Sequence, residues 1–403
     1  MEVTKLKKKK LLMLIGSICL SLVLAALLFP ACAPAAAPGE EAAGEIAELE
    51  DELAASEKKV DALEDDVSDL EKEIAALKKP AEVYEWRFGS CDTAGSADFK
   101  WVLVAFADRL NEVTEGQIDI TPYPGGELMP ITEMLDGVRT GTLDGFTSWA
   151  VYFMGKDAGI EYWCEFPYGV PYSYTDMTIW LYERGGAELY SDWFEEYGVH
   201  WIKDFAHGGE PLHASFPINS LADLEGQKMR STSIAGRVFA KLGVAVTTIA
   251  APEIYTALQR GTIDVVEYTT LATNIGMGLT EVAPYTVMPA HSRAVLYSLV
   301  VGSEIWDELP QSLRNAIDTV AWEVEVAFIY QQKAFEMDVL ADPDAYGIIF
   351  NTWSEADHTL LAATSLEVWE EGLGTTDMGD KIIESKLAFA KEVSDTFPYV
   401  TAK

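Results

Sequence analysis

Basic residues are scarce in this 403-residue chain, which has 29 Lys and Arg against 65 Asp and Glu and a formal net charge of -36. Proteins that bind the nucleic-acid backbone need a basic surface, so nucleic acid is excluded as a main partner. Four cysteines are too few for a disulfide scaffold, and none has the spacing of a structural zinc site. The length predicts two domains or lobes.

Signatures of catalysis are also missing. The sequence has no GxSxG, HExxH or glycine-rich phosphate-binding loop. Its acids are abundant, but no spacing singles out a pair for general acid and base catalysis. We therefore expect a binding protein and not an enzyme.

One long uncharged run occurs, from Leu11 to Phe29, directly after a lysine cluster. This order is typical of an export signal, and we assign residues 1–31 to a lipoprotein-type signal peptide with lipidation at Cys32. Cleavage at a later Ala-x-Ala site and an uncleaved membrane span are the alternatives. All three place the rest of the chain outside the cytoplasm, in the periplasm or on the outer face of the cytoplasmic membrane.

A heptad pattern follows an Ala/Pro-rich linker at residues 32–44. Within residues 45–79, nine of the ten a and d positions are apolar, which predicts a parallel two-stranded coiled coil and a homodimer. Facing e and g positions carry more repulsive than attractive charge pairs, however. A solvated single helix that acts as a spacer is therefore the alternative.

From Tyr84 onward, short β-type runs alternate with helical patterns, as in an α/β fold. Residues 138–144 resemble residues 258–264, since both read as a helix, a glycine stop and a strand. This repeat predicts two similar lobes facing one cleft, and such clefts bind small molecules. A long helix from Pro310 to about Leu340 is expected to span both lobes. The predicted strands cover residues 86–89, 118–121, 143–148, 200–205, 227–230, 244–249, 263–269 and 296–301.

Several ordered segments carry a resemblance to a known family, chiefly Phe166-Pro167-Tyr168-Gly169 and the blocks Asp223–Arg230 and Glu253–Asp264. With them, the chain resembles the solute-binding proteins of tripartite ATP-independent periplasmic (TRAP) transporters. The resemblance implies a type II-like periplasmic-binding-protein fold with a hinge, at residues 81–403. It places lobe 1 at about 83–207 and 296–335, and lobe 2 at about 208–295 and 336–403. It also implies delivery of a small organic acid to TRAP permease subunits in the membrane.

The resemblance also implies site residues. In that family the arginine that ends the D-L-x-G-x-K-x-R block grips the ligand carboxylate, and this position is Arg230. Glu267-Tyr268 resembles the Glu-Trp pair with which the 2-oxo acid-binding branch holds a cation, so the side chain of Glu267 and the backbone of Tyr268 are expected to bind Na⁺ or Ca²⁺. A hydrogen bond from an arginine or the backbone to Glu267 is the alternative. The expected ligand is a 2-oxo or hydroxy monocarboxylate, with no cofactor required.

Other members carry a second arginine upstream, where this chain has Glu210, and this difference shifts recognition toward a metal and aromatic side chains.

Each further candidate has a structural alternative, since aromatics are often core and a histidine at a strand edge often makes structural hydrogen bonds. A disulfide between Cys91 and Cys164 stays open. The further predicted ligand contacts are Thr93, Trp149, Tyr152, Phe166, Tyr268 and His291, with Ser96 as a lesser candidate.

Two other functions compete with a transport receptor. The heptad pattern suits a structural or adhesive surface lipoprotein. A sensory lipoprotein that binds a ligand without coupling to transport would need the same cleft.

Overall fold

A computed structural model describes residues 40–77, 82–169 and 173–396. The chain divides into two compact units, 1–81 and 82–403. The predicted signal peptide and Cys32 lie outside the described residues. Among the described helices, none is long and apolar enough to cross a membrane.

The described part of the first unit is one helix, α1 (Glu40–Leu77). It covers most of the predicted heptad segment. Its apolar a and d side chains from Leu53 to Leu70 are between 41% and 62% exposed. The helix is thus present with an accessible apolar stripe, and its pairing into a coiled coil stays a prediction.

In the second unit, a five-stranded sheet in the order β2-β1-β3-β10-β4 forms lobe 1. Strand β1 runs parallel to β2 and β3, and β10 runs antiparallel to β3 and β4. The strands are β1 (Tyr84–Ser90), β2 (Ile118–Tyr123), β3 (Gly145–Ser148), β4 (Val199–His207) and β10 (Val295–Gly302).

A six-stranded sheet in the order β11-β9-β5-β8-β6-β7 forms lobe 2. Strand β6 lies parallel to both β7 and β8, so the carboxyl ends of these three strands share one edge. The strands are β5 (Leu212–Ala214), β6 (Lys228–Arg230), β7 (Ala245–Thr247), β8 (Val265–Glu267), β9 (Tyr285–Val287) and β11 (Ile349–Asn351).

Helices connect and cover these strands. The first follows a π-helical segment at Phe99–Val104. The α-helices are α2 (Ala105–Val113), α3 (Met134–Arg139), α4 (Tyr174–Glu183), α5 (Gly186–Glu195), α6 (Ser233–Lys241), α7 (Ala251–Gln259), α8 (Leu271–Gly276), α9 (Leu279–Val282), α10 (Ser303–Glu308), α11 (Gln311–Ala341), α12 (Glu355–Glu371) and α13 (Asp377–Thr396). Short 3₁₀ segments lie at Ile131–Glu133, Ala150–Phe153, Ala158–Tyr162, Leu221–Leu224 and Pro343–Tyr346.

The predicted internal repeat is present as the same turn in both lobes. After α3, Gly141 has φ +71°, and after α7, Gly261 has φ +67°, the left-handed conformation that glycine adopts without strain. The following aspartates continue the correspondence, because Asp144 N donates to Arg87 O at 2.9 Å and Asp264 N donates to Lys228 O at 2.7 Å. Each turn therefore delivers its strand beside a parallel partner, β3 beside β1 and β8 beside β6.

Two segments cross between the lobes and form the hinge. Residues 208–211 lead from β4 to β5, and residues 288–294 lead from β9 to β10. They lie close together at Gly209, where a Cβ would approach Ser292 O to 2.4 Å. Helix α11 supports this crossing through Gln332, whose side chain accepts from Gly208 N and donates to Thr270 Oγ1, each at 3.2 Å.

The two-lobed α/β fold and all eight predicted strands are confirmed, and the long helix begins one residue after Pro310. The apolar stripe of α11 is buried as its spacing predicts, including Ile317, Val324 and Phe328. The C-terminal helices divide between the lobes: α12 packs on α6, but α13 packs on α4, α5 and the 158–162 turn of lobe 1. The sequence-based boundary had assigned both to lobe 2.

Candidate functional site

Arg230 lies at the carboxyl end of β6 with only 1% of its surface exposed. Its Nε donates to Ile249 O at 3.0 Å and its Nη1 donates to Glu267 O at 2.7 Å. The Tyr268 ring lies 5.0 Å from the guanidinium carbon. The third nitrogen of the Arg230 guanidinium, Nη2, has no hydrogen-bond partner among the described residues. Two backbone carbonyls thus fix the side chain and leave one end of the guanidinium for an anion.

Arg230 lines a cavity of about 30 Å³ between the lobes. Lobe 1 contributes Trp149 and Tyr152, which follow β3 as predicted, and lobe 2 contributes Glu267 and Tyr268 beside Arg230. The space holds only a few atoms, so the lobes are closed on each other. A wider groove of about 1020 Å³ lies on the hinge side and lacks Arg230. We take the smaller cavity as the site because it holds the buried charged groups.

Three buried carboxyls share the cavity with this one guanidinium, since Glu165, Glu210 and Glu267 all line it. Burial and repulsion from Glu267 raise the pKa of Glu165 to about 8. Burial, followed by the same repulsion, also raises the pKa of Glu210 well above its usual range. Burial raises the pKa of Glu267 as well, although Arg230 opposes this. The site therefore favours added positive charge or retained protons.

The oxygens of Glu210 and Glu267 and a ring nitrogen of His291 lie within 4.8 Å of one another. Glu210 and His291 come from the two hinge segments, and Glu267 comes from the end of β8. All three are buried, and neither His291 nitrogen makes a well-formed hydrogen bond to a described residue. Burial lowers the pKa of His291 to about 3, so the ring is neutral. Carboxylates and a neutral imidazole are donors that suit a metal cation.

Glu267 is also in contact with an arginine, as its alternative role as a hydrogen-bond acceptor requires. Its Oε2 accepts from Ser231 Oγ at 2.8 Å and lies 3.9 Å from Arg230 Nη1. A carboxylate has about four lone-pair sites, so these contacts leave room for a cation. The two roles expected for Glu267 are compatible.

A second polar network borders the cavity at Asp92, which follows β1 and is fully buried. Its Oδ1 accepts from Tyr268 OH at 2.9 Å, and its Oδ2 accepts from the hydroxyl of Tyr297 on β10 and from Ser90 Oγ at 3.3 Å. Burial and the nearby Asp98 raise the pKa of Asp92 to about 6. The network joins the first strand of lobe 1 to the residue after β8 in lobe 2.

Four predicted ligand contacts are not among the residues that line the cavity, and one of them, His291, lines the wider groove on the hinge side. Thr93 and Ser96 form a turn after β1, in which Ser96 Oγ donates to Thr93 O at 2.8 Å. Phe166 packs against Trp180 and Phe389 in the core. Neither Thr93 nor Phe166 is among the residues that line the cavity, and their ligand contact stays a prediction. Aromatic burial explains the position of Phe166, as the structural alternative allows.

The two cysteines of lobe 1 are free thiols. Cys91 donates to Asp92 Oδ2 at 3.5 Å, whereas Cys164 lines the cavity. Burial raises the pKa of Cys164 to about 12. The structure thus places the thiols in different environments and contains no disulfide between them.

The sequence interpretation missed the roles of Asp92 and Glu165. One signal was available for Glu165, since it is the single acid in the apolar run Trp163-Cys164-Glu165-Phe166. A carboxyl inside such a run is either paired or functional when it is buried. Asp92 gave no comparable signal, because its neighbours Ser90 to Thr93 look like an ordinary polar loop.

Comparisons with known proteins identify the family and the fold. Residues 88–373 match the model of bacterial extracellular solute-binding protein, family 7. A monocarboxylate 2-oxoacid-binding periplasmic protein of a Nostoc species is 28% identical over 293 residues, which cover 71% of this chain and 79% of that protein.

Two solved structures share the fold. An apo, open TRAP periplasmic solute-binding protein from Rhodobacter sphaeroides is 26% identical, with a TM-score of 0.60 over 77% of this chain and 98% of its own. One from Colwellia psychrerythraea, with bound calcium and pyruvate, is 22% identical, with a TM-score of 0.71 over 78% of this chain and 97% of its own. The chain belongs to family 7 of the bacterial extracellular solute-binding proteins, the TRAP solute-binding family, and is a receptor and not an enzyme.

Proposed function

We propose that this receptor binds a 2-oxo or hydroxy monocarboxylate in the cavity between its lobes and delivers it to a TRAP permease. The observation that carries the proposal is the buried Arg230, whose guanidinium is fixed by two backbone carbonyls and lines the cavity. A buried arginine of this kind suits one carboxylate, which it can meet with two parallel hydrogen bonds. The name of the Nostoc relative supports the same class of ligand.

The charge of the site supports a cation that binds with the acid. Three carboxyls face one guanidinium, and an anionic ligand would add further negative charge. Na⁺ or Ca²⁺ held by Glu267 and the Tyr268 backbone, with Glu210 and His291 nearby, would offset the excess. The cation would also bridge Glu267 to the ligand carboxylate. Calcium with pyruvate in the Colwellia protein supports this arrangement.

The surplus of carboxyls also favours a second candidate, a small amine. An ammonium group could replace the cation and pair with Glu210 and Glu267, which are both buried in the cavity. In that case Arg230 would keep its structural contacts and bind no carboxylate. A ligand screen with and without metal separates the two candidates.

We further propose that the receptor is tethered to the membrane by lipid on Cys32. The linker at 32–44 and helix α1 would then act as a spacer, and 38 helical residues reach about 57 Å. The exposed a and d side chains of α1 would allow it to pair with a second copy. The acidic flanks oppose such pairing, so the spacer role does not depend on a dimer.

A thermal-shift screen tests the proposed function. Pyruvate, lactate, dicarboxylates and 2-amino-1-propanol are each added in Na⁺, in Ca²⁺ and in chelator at matched ionic strength. A specific ligand raises the melting temperature because it binds the folded state alone. Stabilisation by a monocarboxylate with a cation supports the proposal. Stabilisation by the amine in chelator supports the alternative, and no stabilisation by any solute would favour an adhesive protein. Uptake by vesicles containing the permease separates a transport receptor from a sensor.

A further inference from the structure

The bond between Tyr268 and Asp92 crosses the cleft. Tyr268 directly follows β8 in lobe 2, and Asp92 follows β1 in lobe 1. The phenol donates to Asp92 Oδ1 at 2.9 Å, and the two side chains are 6% and 0% exposed. The contact can exist only while the lobes are together.

Tyr268 is also in contact with the anion-binding group. Its ring lies 5.0 Å from the guanidinium carbon of Arg230, and its peptide neighbour Glu267 accepts from that guanidinium through the backbone oxygen at 2.7 Å. One side chain thus touches Arg230 with its ring and lobe 1 with its hydroxyl.

The carboxylate of Asp92 is held ready for this contact by lobe 1 alone. Its other oxygen accepts from Tyr297 and Ser90, and both belong to strands of the lobe 1 sheet. Because both donors lie in lobe 1, these bonds do not require the cleft to be closed. Of the bonds to this carboxylate from described residues, only the one from Tyr268 depends on closure.

We propose that Tyr268 is a positioning residue that holds the two lobes closed over the ligand through its hydrogen bond to Asp92. The inference rests on the proposed function, because it assumes that closure over Arg230 captures the ligand. In the open receptor, water solvates both the phenol and the carboxylate. In the closed receptor the water is gone, and the Tyr268 phenol and the Asp92 carboxylate bond to each other instead. Removing the phenol would therefore leave a buried carboxylate oxygen without its donor.

Other contacts also cross the cleft without involving Arg230 itself, although Ser233 lines the same cavity. Asp98 N donates to Thr273 Oγ1 at 3.2 Å. Near the 158–162 turn, Ser233 Oγ donates to Glu161 O at 2.8 Å, and Arg237 pairs with the Glu161 carboxylate at 2.7 Å. These contacts add to closure without touching the guanidinium. Tyr268 is the residue through which closure and anion binding meet.

Tyr268→Phe and Tyr297→Phe form a matched pair of variants in the full chain. Each removes one phenol that donates to Asp92, but only the first bond crosses the cleft. Titration calorimetry with pyruvate in Ca²⁺ should show about 10- to 100-fold weaker binding for Tyr268→Phe, the loss expected for a hydrogen bond to a charged group. Tyr297→Phe should lower the melting temperature and leave the affinity within about threefold of wild type.

Cys164 supplies a readout that needs no ligand, because this thiol lines the closed cavity and is 8% exposed. Its alkylation by iodoacetamide, followed by peptide mass spectrometry, reports how often the cleft opens. Tyr268→Phe should be alkylated about 10- to 100-fold faster than wild type, and Tyr297→Phe at nearly the wild-type rate. Equal rates in wild type and Tyr268→Phe, or equal acceleration in both variants, would overturn the proposal. If pyruvate fails to bind wild type, the alkylation rates still decide the role of Tyr268.

Discussion

Arg230 Nη1 lies 2.7 Å from the backbone oxygen of Glu267 and 3.9 Å from its carboxylate oxygen Oε2. The proposed anion-binding side chain and the proposed cation-binding carboxylate are therefore parts of one rigid arrangement at the ends of β6 and β8. Two ligands that share such an arrangement are expected to influence each other's binding.

This coupling predicts that the organic acid and the cation bind together. Removing Na⁺ and Ca²⁺ should weaken pyruvate binding about 5- to 150-fold, the usual size of coupling between two ligands. By linkage, pyruvate should tighten Ca²⁺ binding by the same factor. Titration calorimetry in both directions measures the two factors, with a bulky organic cation keeping the ionic strength constant.

Glu267→Gln should reduce this coupling, and Glu210→Gln should reduce it if Glu210 is a ligand of the cation. Glu195→Gln is the matched control, because Glu195 contacts His200 and Ser303 far from the cavity residues. Equal pyruvate affinity with and without small cations would contradict a bound metal. Glu267 would then keep a structural role through its contacts with described residues, chiefly the hydrogen bond from Ser231 and the contact with Arg230.

A buried histidine predicts loss of stability in acid. Burial lowers the pKa of His213 to about 4, although a backbone contact with Ala283 opposes the change. An unfolded histidine titrates near 6.5, so the unfolded state binds more protons than the folded state between these values. The free energy of unfolding should therefore be unaffected above pH 6.5 and fall as the pH drops, by about 3 kcal/mol at pH 4 for this residue.

His213→Asn should remove most of that pH dependence while keeping a partner for Thr286 Oγ1, which lies 3.0 Å from His213 Nδ1. Urea denaturation of both proteins at pH 7, 5.5 and 4 checks this. If the free energy of unfolding changed with pH by the same amount in both proteins, His213 would be protonated equally in the folded and unfolded states.

The repeated glycine turns predict that the same substitution lowers the free energy of unfolding equally in the two lobes. Gly141→Ala and Gly261→Ala should each lower the free energy of unfolding by about 1–2 kcal/mol, because φ is positive at both positions and a side chain there is strained. A Cβ at either position would meet nothing within 4 Å, so strain alone is measured. The control is Gly155→Ala, which is equally open and has no positive φ. Urea denaturation measures all three, and a cost at Gly155 equal to the others would contradict the strain argument.

The proposed spacer helix predicts that dimerisation and ligand binding depend on different parts of the chain. Deleting residues 45–79 should leave pyruvate affinity unchanged and abolish any dimer seen by analytical ultracentrifugation. Leu63→Lys with Leu70→Lys should abolish the same dimer while keeping the helix, since both side chains are at d positions and more than half exposed. A dimer that survives both changes would place the interface on the lobes.

The fold could be predicted from the sequence because its signals are local. The glycine turns at Gly141 and Gly261, the alternating strands and the apolar stripe of α11 each depend on residues a few positions apart. Arg230 was identified through the resemblance of its segment to a family motif; it is buried and lines the cavity, and its ligand contact stays a prediction. Local signals also placed Trp149 and Tyr152 after β3, at the edge that lines the cavity.

The rest of the site depends on distant packing. Tyr268 and Asp92 are 176 positions apart, and neither residue's neighbours indicate the other. Glu210 looks like one of 65 acids, and neither the apolar run around Glu165 nor the motif that contains Glu267 indicates that the three carboxyls share one cavity. Their raised pKa values follow from this shared burial, which no window of sequence contains.

Binding of pyruvate to Arg230 is the most direct test of the receptor's proposed function. Titration calorimetry of wild type in Ca²⁺ should show one site per chain and no chemical change of the acid. Arg230→Ala should lose about 2–5 kcal/mol of binding free energy, because the ligand carboxylate would be buried without its partner. Arg184→Ala, which removes a surface pair with Glu392 and a hydrogen bond to Glu183 O, should bind as wild type does. Unchanged pyruvate affinity in Arg230→Ala would contradict the assignment of this arginine as the carboxylate-binding group.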